Sequence, residues 1–404
     1  MIWQTTNIEE ISEVKGGKRL PSGHDFSPDP TNHLYIRARD IGAGKIQCDQ
    51  PVYISDETYQ KIARYTVDEG DIVITIVGAN VGDVGYVSDE LVGANLTENA
   101  AKLVVDRKRY DPVFLKYFLA SRSSKERLAF IASGAAQGKL GLYKIKSFSV
   151  PEPPLPVQRN VSSVLSAYDD LIENNRRRIA LLEEAARLLY REWFVHFRYP
   201  GHEHVKIIDG VPEGWAKSCI GDLSSFLARG ITPKYDDEAP GLVINQKCIR
   251  SSKVNLEPAR RQSKRVPEAK LVRPYDVLIN STGTGTLGRV AQNFHDLPNL
   301  TVDSHVTIAR PREEVLPIWY GLTLTLKQDF IATLGRGATN QTELSKDDVV
   351  DIELLVPTDD ILQDFEGQAS FIIRQINVLS AQSNELSKAR DLLLPRLMDG
   401  RLEV

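Results

Sequence analysis

The chain predicts an α+β molecule built twice. Two mixed α/β domains each run into a long helix, and the two helices pair as an antiparallel coiled coil within an internal pseudo-two-fold repeat. Three observations predict this. Residues match pairwise along the whole length: Trp3 and Pro21 with Trp215 and Pro233, Leu34-Tyr35-Ile36 with Leu242-Val243-Ile244, the run DIVIT at Asp71 with DVLIN at Asp276, and Asn95-Leu96-Thr97 with Asn299-Leu300-Thr301. The spacing between partners shortens slowly along the chain, as a duplicated unit shows after loop insertions and deletions. Each half then closes on apolar positions at strict 4-3 spacing, the seam of a coiled coil.

The first domain spans residues 1–150. Its strand-like runs are Leu34–Ile36, Asp71–Val77 and Lys102–Val105, separated by turn signals (GAGK, DEGD, VGANVGDVG), and residues 112–131 look helical. The proline-rich VPEPPLP (Val150–Pro156) is expected to continue neither sheet nor helix. The first long helix occupies 151–197, with a seam of Val161, Leu165, Tyr168, Ile172, Asn175, Ile179, Leu182, Ala186, Leu189 and Trp193 and a charged outer face. About 40 helical residues make a rod of roughly 60 Å. Residues 198–214 form a Pro/Gly/His linker, and the second domain covers 215–357. The second helix, 358–404, repeats the seam with Phe365, Ala369, Ile372, Ile376, Leu379, Ser383, Leu386, Arg390, Leu393 and Leu397, and Pro395 is expected to kink or end it. Two helices of matched length in one chain most simply pair with each other. Antiparallel pairing turns the two domains head-to-head, which suits a two-fold partner such as DNA.

At 404 residues the chain needs two or more domains, and 42% hydrophobic with 26% charged residues is ordinary for a globular protein. No apolar run approaches a membrane span, and the start MIWQTTNIEE has no secretory pattern, so a cytoplasmic, non-membrane protein is expected. Cys48, Cys219 and Cys248 are scattered with no CxxC pair, which points to a reducing compartment and no metal framework. The net charge of -4 counts against a uniformly basic nucleic-acid binder but permits one whose cations lie on one face. Nine Lys/Arg against two Glu between Lys247 and Arg273 mark such a concentration, and an isolated run of this kind also reads as a solvated loop.

Motifs for chemistry are missing. Gly283-Thr-Gly285-Thr-Leu-Gly288 matches GxGxxG, but the first half lacks its middle glycine and RVAQNFHDLPN after it does not open a helix, so a turn is expected. There is no GxxxxGK[ST] loop, no (D/N)PP(Y/F) tetrapeptide and no PD…(D/E)xK spacing. His196, His202 and His204 have no Cys or carboxylate cluster at ligand spacing and read as a solvated linker. No catalytic set recurs in both halves, so neither catalytic nor metal residues are expected, and the chain reads as a scaffold or reader. What the halves share is amide-rich. Gln137 and Leu140 match Gln341 and Leu344 within the loops GAAQGK and GRGATNQ. Asn and Gln suit bidentate bonds to adenine, and Arg or Lys to guanine.

With PPLPVQ (Pro153–Gln158), NRRRIALLEEAARLLYREWF (Asn175–Phe194), the restart VPEGW (Val211–Trp215) and RDLLLPRLM from Arg390, the chain resembles the specificity (S) subunits of type I restriction-modification systems over its full length. The resemblance implies two target-recognition domains, each on one half of a split double-stranded DNA site. It implies an antiparallel helical ruler that docks two modification (M) subunits, with restriction (R) subunits joining that core. It also implies a non-catalytic chain with no cofactor of its own: S-adenosylmethionine belongs to M, and ATP and Mg to R. The sequence departs from the pattern at VPTDDIL (Val356–Leu362), so any M-subunit contact carried by Gln158 has no counterpart at Leu362.

The candidate DNA-binding residues are Lys18, Arg19, Arg37, Arg39, Asn99, Gln137 and Lys139 in the first domain. In the second they are Arg229, Lys247, Arg250, Arg260, Arg261, Lys264, Arg265, His305, Asn340 and Gln341. Because the halves agree in the seam and strands and differ in the loops, an asymmetric split target is expected rather than a palindrome. The competing class is a non-catalytic coiled-coil scaffold presenting two peptide-binding modules, which the acidic pI favours. Salt-titrated DNA binding separates the two, since phosphate contacts weaken steeply with salt.

Overall fold

The computed structural model describes residues 3–133, 138–337 and 342–403. The chain divides into two compact units, one of Met1–Asn174 with Ser383–Val404 and one of Asn175–Gln382. Each unit therefore takes one α/β segment together with a portion of both long helices.

In the first unit, β1 (Ser12–Gly16), β2 (Ile72–Thr75), β3 (Val84–Tyr86) and β4 (Ala100–Val105) form an antiparallel sheet in the order β1-β4-β2-β3. Every residue of β2 is buried, because both sheet faces are covered. Ile72 and Ile74 pack with Leu103, Phe114 and Leu119 on one side. Val73 packs with Ile36, Ile41 and Leu96 on the other. A short parallel pair, Tyr35–Ile36 with Asn95–Leu96, and a hairpin of Ile41–Gly42 with Lys45–Ile46 complete the layer. The predicted helix over 112–131 is two helices, α1 (Pro112–Ala120) and α2 (Arg122–Ser133). They break at Ser121, whose backbone is extended and whose Oγ accepts the Ser124 N–H at 3.3 Å, capping the second helix.

The second unit repeats this plan. Strands β5 (Ser224–Arg229), β6 (Val277–Asn280), β7 (Val290–Gln292) and β8 (Val306–Pro311) are ordered β5-β8-β6-β7. Gly241–Ile244 pairs in parallel with Leu300–Val302, and Ile249–Arg250 forms a hairpin with Lys253–Val254. A strand of its own, Arg260–Gln262, adds to the parallel pair. Two details recur at residue level. Asp71 and Asp276 each accept a backbone N–H three residues back, from Asp68 (3.0 Å) and Arg273 (2.8 Å). Each is buried against a cation of the neighbouring strand: Lys102 at 2.8 Å from Asp71, and Arg310, through two bonds, on Asp276. Glycine is required at Gly17 and Gly230, where a Cβ would meet the carbonyl oxygens of Thr97 (2.1 Å) and Val302 (1.9 Å).

The long helices are α3 (Leu155–Tyr190), closing in a π-turn Arg191–Val195, and, after α4 (Pro317–Leu326), α5 (Asp359–Met398). In the first unit Val161 and Leu165 share a core with Leu397 and Met398, and Asp169 Oδ1 accepts from Arg390 at 2.5 Å. In the second unit Asn175 Nδ2 donates to Gln382 at 3.3 Å, Ile179 packs with Ile376 and Leu379, and the Trp193 and Phe365 rings lie 5.7 Å apart. Partner numbers on α5 fall as those on α3 rise, so the helices are antiparallel within each unit. Leu165, Asn175, Ile179, Trp193, Phe365, Ile376 and Leu379 are buried, and Tyr168, Ile172, Leu182, Leu189, Ile372, Leu386 and Leu393 are half-buried.

The structure refines four expectations. Of the two outcomes expected of Pro395, ending the helix is contradicted: α5 runs to Met398, because a proline removes one N–H bond while Leu397 and Met398 are anchored in the core. VPEPPLP breaks the chain only over residues 152–154, between a strand and a helix. Pro151 ends an edge strand paired with Thr5, and Pro156 lies in the first turn of α3, where no N–H is needed. Residues 198–214 are largely exposed, as expected of a linker, with His202 and His204 at the surface, but they are not featureless. They hold a hairpin of Ile207–Ile208 with Val211–Pro212, and Tyr199 is buried in a stack on Trp215 at 5.6 Å. Gln158 is fully buried and cannot meet a partner. Its Oε1 accepts the Asp111 N–H at 2.8 Å and its Nε2 donates to Pro153 O at 2.7 Å.

Asp111 caps α1, accepting from Val113 and Phe114 N–H at 2.7 and 3.0 Å, with Ser162 Oγ donating to it at 3.3 Å. In the second unit the matching helix α4 begins after Leu316, which cannot cap. Glu366 of α5, at the position matching Ser162, instead accepts the Ile318 and Trp319 N–H groups at 2.9 Å each. The carboxylate has moved from the cap residue to the long helix. Burial outweighs these two bonds and raises the Glu366 pKa.

Candidate nucleic-acid interface

In the first unit β2 ends at Thr75, and the next residue joins two loops. The Ile76 N–H donates to Asn99 O at 2.7 Å, and Ile76 O accepts the Leu140 N–H at 2.9 Å. Asn99 and the exposed Lys139 are thereby held at one end of the sheet. Arg19 arrives there from the end of β1, 77% exposed, with Nε 3.9 Å from Glu98. Lys18 is exposed beside it, with Nζ 5.9 Å from the centre of the Tyr65 ring. Arg64 lies 4.9 Å from the same ring and donates to its hydroxyl at 2.8 Å. Lys15, Arg64 and Tyr65 line a cleft with Gly16 and Gly17, and sequence reasoning missed all three; an Arg-Tyr pair alone carries no periodic or motif signal. Gln137 lies outside the described residues.

Arg37 does not join this edge. Its guanidinium donates twice to Asp40 (2.9 and 2.8 Å) and once to Gln50 O (2.6 Å), which holds it within the fold and leaves the side chain only 16% exposed. Arg39, on the same short turn, is 61% exposed.

The second unit has the same junction with other side chains. The Ser281 N–H donates to His305 O and Ser281 O accepts the Leu344 N–H, both at 2.8 Å. His305 is exposed, and its Nδ1 is 2.7 Å from Thr282 Oγ1. Arg229, at the end of β5, is tied to the Glu343 carboxylate and donates to Leu344 O at 2.6 Å. Asn340 and Gln341 lie outside the described residues.

The basic run Lys247–Arg273 is not one loop. Lys247 and Arg250 are exposed near the 249–254 hairpin, and Lys253 is 2.6 Å from Glu183 of α3. The extra strand carries Arg260, whose guanidinium stacks 3.6 Å from the Tyr235 ring. Arg261 donates to Ala239 O at 3.0 Å and Lys264 to Thr232 O at 3.0 Å, which pins residues 232–239 alongside, while Arg265 is exposed. This brings Tyr235, unselected from the sequence, beside the cations. Each unit thus places a cation against a tyrosine ring, Arg64 with Lys18 at Tyr65 and Arg260 at Tyr235, an arrangement suited to phosphates and base faces.

Gly283–Gly288 forms a turn held by Asn280 Nδ2 to Thr286 O (3.1 Å) and leads into β7, not a helix. Among the described residues no group of three or more His, Cys, Asp or Glu could hold a metal ion, and no helix is long and apolar enough to cross a membrane.

The model of the type I restriction modification DNA specificity domain family matches residues 2–184. The MjaIX specificity subunit of Methanocaldococcus jannaschii, a type I restriction enzyme subunit, is 25% identical across 100% of this chain and 94% of its own. The HindI specificity subunit of Haemophilus influenzae is 22% identical across 99% of both chains. The crystal structure of a type I restriction-modification S subunit from M. genitalium shares the fold, with a TM-score of 0.61 at 15% identity, covering 98% of this chain and 96% of that one.

Proposed function

We propose that this chain, a member of the type I restriction-modification specificity subunits, reads an asymmetric, split DNA target with two unlike domains mounted on one repeated frame. The observation that carries this reading is the contrast between frame and edge. Sheet order, the buried Asp–cation pair and the Ile76/Ser281 junction recur, while the residues they present differ: Arg19, Asn99 and Lys139 in one unit, Thr282 and His305 in the other, with a strand of cations added. Exposed Lys and Arg fix phosphates, and loop side chains meet base edges.

The chain itself carries out no catalysis. Methyl transfer from S-adenosylmethionine falls to two M subunits, and ATP- and Mg-dependent work to R subunits, in the cytoplasm. A second apolar stripe supports M docking on the helices. Leu181 and Leu188 on α3, Val195 at the end of its π-turn, and Phe371 and Val378 on α5 recur at seven-residue spacing outside the seam and are all exposed. A helix from a partner subunit would cover them. The peptide-module reading has no comparable support.

Methylome sequencing of the host with and without the gene tests the proposal. One bipartite, non-palindromic motif should disappear; loss of a palindrome, or of nothing, refutes it. Deleting one heptad from each helix, residues 176–182 and 376–382, removes about 10 Å of rise and should shorten the unread spacer by about three base pairs. An unchanged spacer refutes the ruler.

A further inference from the structure

The two units close differently around matched tryptophans. Trp215 precedes the edge strand Ala216–Cys219, and Trp3 precedes its counterpart, Thr5–Asn7. In the second unit the chain leaving α3 plugs the space beside this indole. Phe194, Phe197 and Tyr199 lie 5.9, 5.3 and 5.6 Å from the Trp215 ring, and Tyr190 packs on Phe194 at 4.9 Å. In the first unit the positions matching Tyr190 and Phe194 are Leu394 and Met398 of α5, and the residues that follow, Asp399–Glu403, include no aromatic. Beside Trp3 there is instead a groove of about 920 Å³, with Phe118, Leu394, Pro395 and Met398 as its apolar lining and the charged Arg122, Arg127 and Asp391 also bordering it. That is the size of a ligand pocket, roughly 300–1,000 Å³.

We propose that this groove takes an extended peptide segment of a partner chain bearing aromatic side chains at the spacing of Phe194, Phe197 and Tyr199. The occupant is argued from the molecule's own second half, where a segment of that composition is seated at the equivalent place, on the equivalent indole, between the edge strand and the long helix. The walls support it. Leu394 and Met398 replace larger rings, so the floor remains apolar while volume is freed, and aromatic anchors entering such a pocket are the usual carriers of peptide affinity. The site does not depend on how DNA is read.

The test uses the full chain labelled with 5-fluorotryptophan and a synthetic peptide of residues 193–199, WFVHFRY. The Trp3 ¹⁹F resonance is assigned by Trp3→Phe. A saturable shift of that resonance is expected, at least ten-fold weaker with a peptide carrying alanine in place of its two phenylalanines and tyrosine. Leu394→Glu should weaken it at least ten-fold while leaving the far-ultraviolet circular dichroism and the cooperative thermal unfolding of the chain unchanged, which reports an intact fold. No shift at Trp3, equal shifts with both peptides, or a response only at Trp215, where the peptide exchanges with the chain's own segment, would each overturn the proposal.

Discussion

The relocated helix cap gives a prediction with a sign as well as a size. Glu366 accepts two N–H groups at the start of α4, on Ile318 and Trp319, residues only 3% and 1% exposed. Replacing it with leucine strands both donors, and each stranded buried donor costs about 1–3 kcal/mol, so Glu366→Leu should cost about 2–6 kcal/mol. Glu366→Gln keeps one acceptor oxygen, removes a buried charge and should cost much less. The stronger test is Leu316→Asp in two backgrounds. With Glu366 present, a second carboxylate beside the same N-terminus repels the first and destabilises. With Glu366→Ser, the pair reproduces Asp111 and Ser162 of the first unit, and the aspartate stabilises. Hydrogen exchange of the Ile318 and Trp319 amides reads the local effect, with about ten-fold faster exchange for every 1.4 kcal/mol lost. If Leu316→Asp has the same sign and size in both backgrounds, the carboxylate has not changed places and the reasoning fails. Glu366 also has a pH signature. Its folded pKa lies above the unfolded value, so its effect on stability worsens as pH rises from the unfolded pKa through the folded one.

The remaining predictions concern charge. Burial pulls the Lys116 pKa down to about 8, against the attraction of Asp169. Below about 8 the folded state bears the cost of a buried ammonium; between there and the unfolded value of about 10.4 the unfolded chain holds more protons, so stability rises with pH. Lys116→Met should therefore raise the denaturation midpoint at pH 7 and gain less at pH 9.5, and a gain that grows with pH contradicts this. Arg19→Ala and Arg260→Ala should weaken DNA binding by the assembled complex several-fold and flatten the salt dependence by about one unit of log–log slope each; an unchanged slope removes them from the interface. Arg37→Ala should instead cost about 1–3 kcal/mol of stability, from its lost charged hydrogen bonds, with unchanged affinity per folded molecule by titration.

The frame was legible because its causes are periodic. The 4-3 seam from Val161 to Trp193 and from Phe365 to Leu397 announces two helices, and the matched pair DIVIT and DVLIN announces the central strand of each sheet. Burial on both faces explains why those strands read as continuous apolar runs. Local punctuation misled where packing overrode it. Pro395 reads as a kink or a stop, but Leu397 and Met398 hold the last turn; the glycines and histidines of 198–214 are solvated as their letters suggest, yet Tyr199 among them is drawn onto Trp215. The interface was least legible because a cation's chemistry does not disclose its neighbour. Arg37 and Arg39 are indistinguishable as letters, yet Asp40 takes the first guanidinium and leaves the second in solvent. The same limit hid Tyr65 and Tyr235, whose role depends on which cation the fold lays over the ring. The two copies reduce this ambiguity. A residue repeated in both, such as Asp71 and Asp276, belongs to the frame and should be replaceable only at a cost in folding. A side chain that differs at a conserved backbone junction, Asn99 against His305, is free of that duty and is where two half-sites can come to differ.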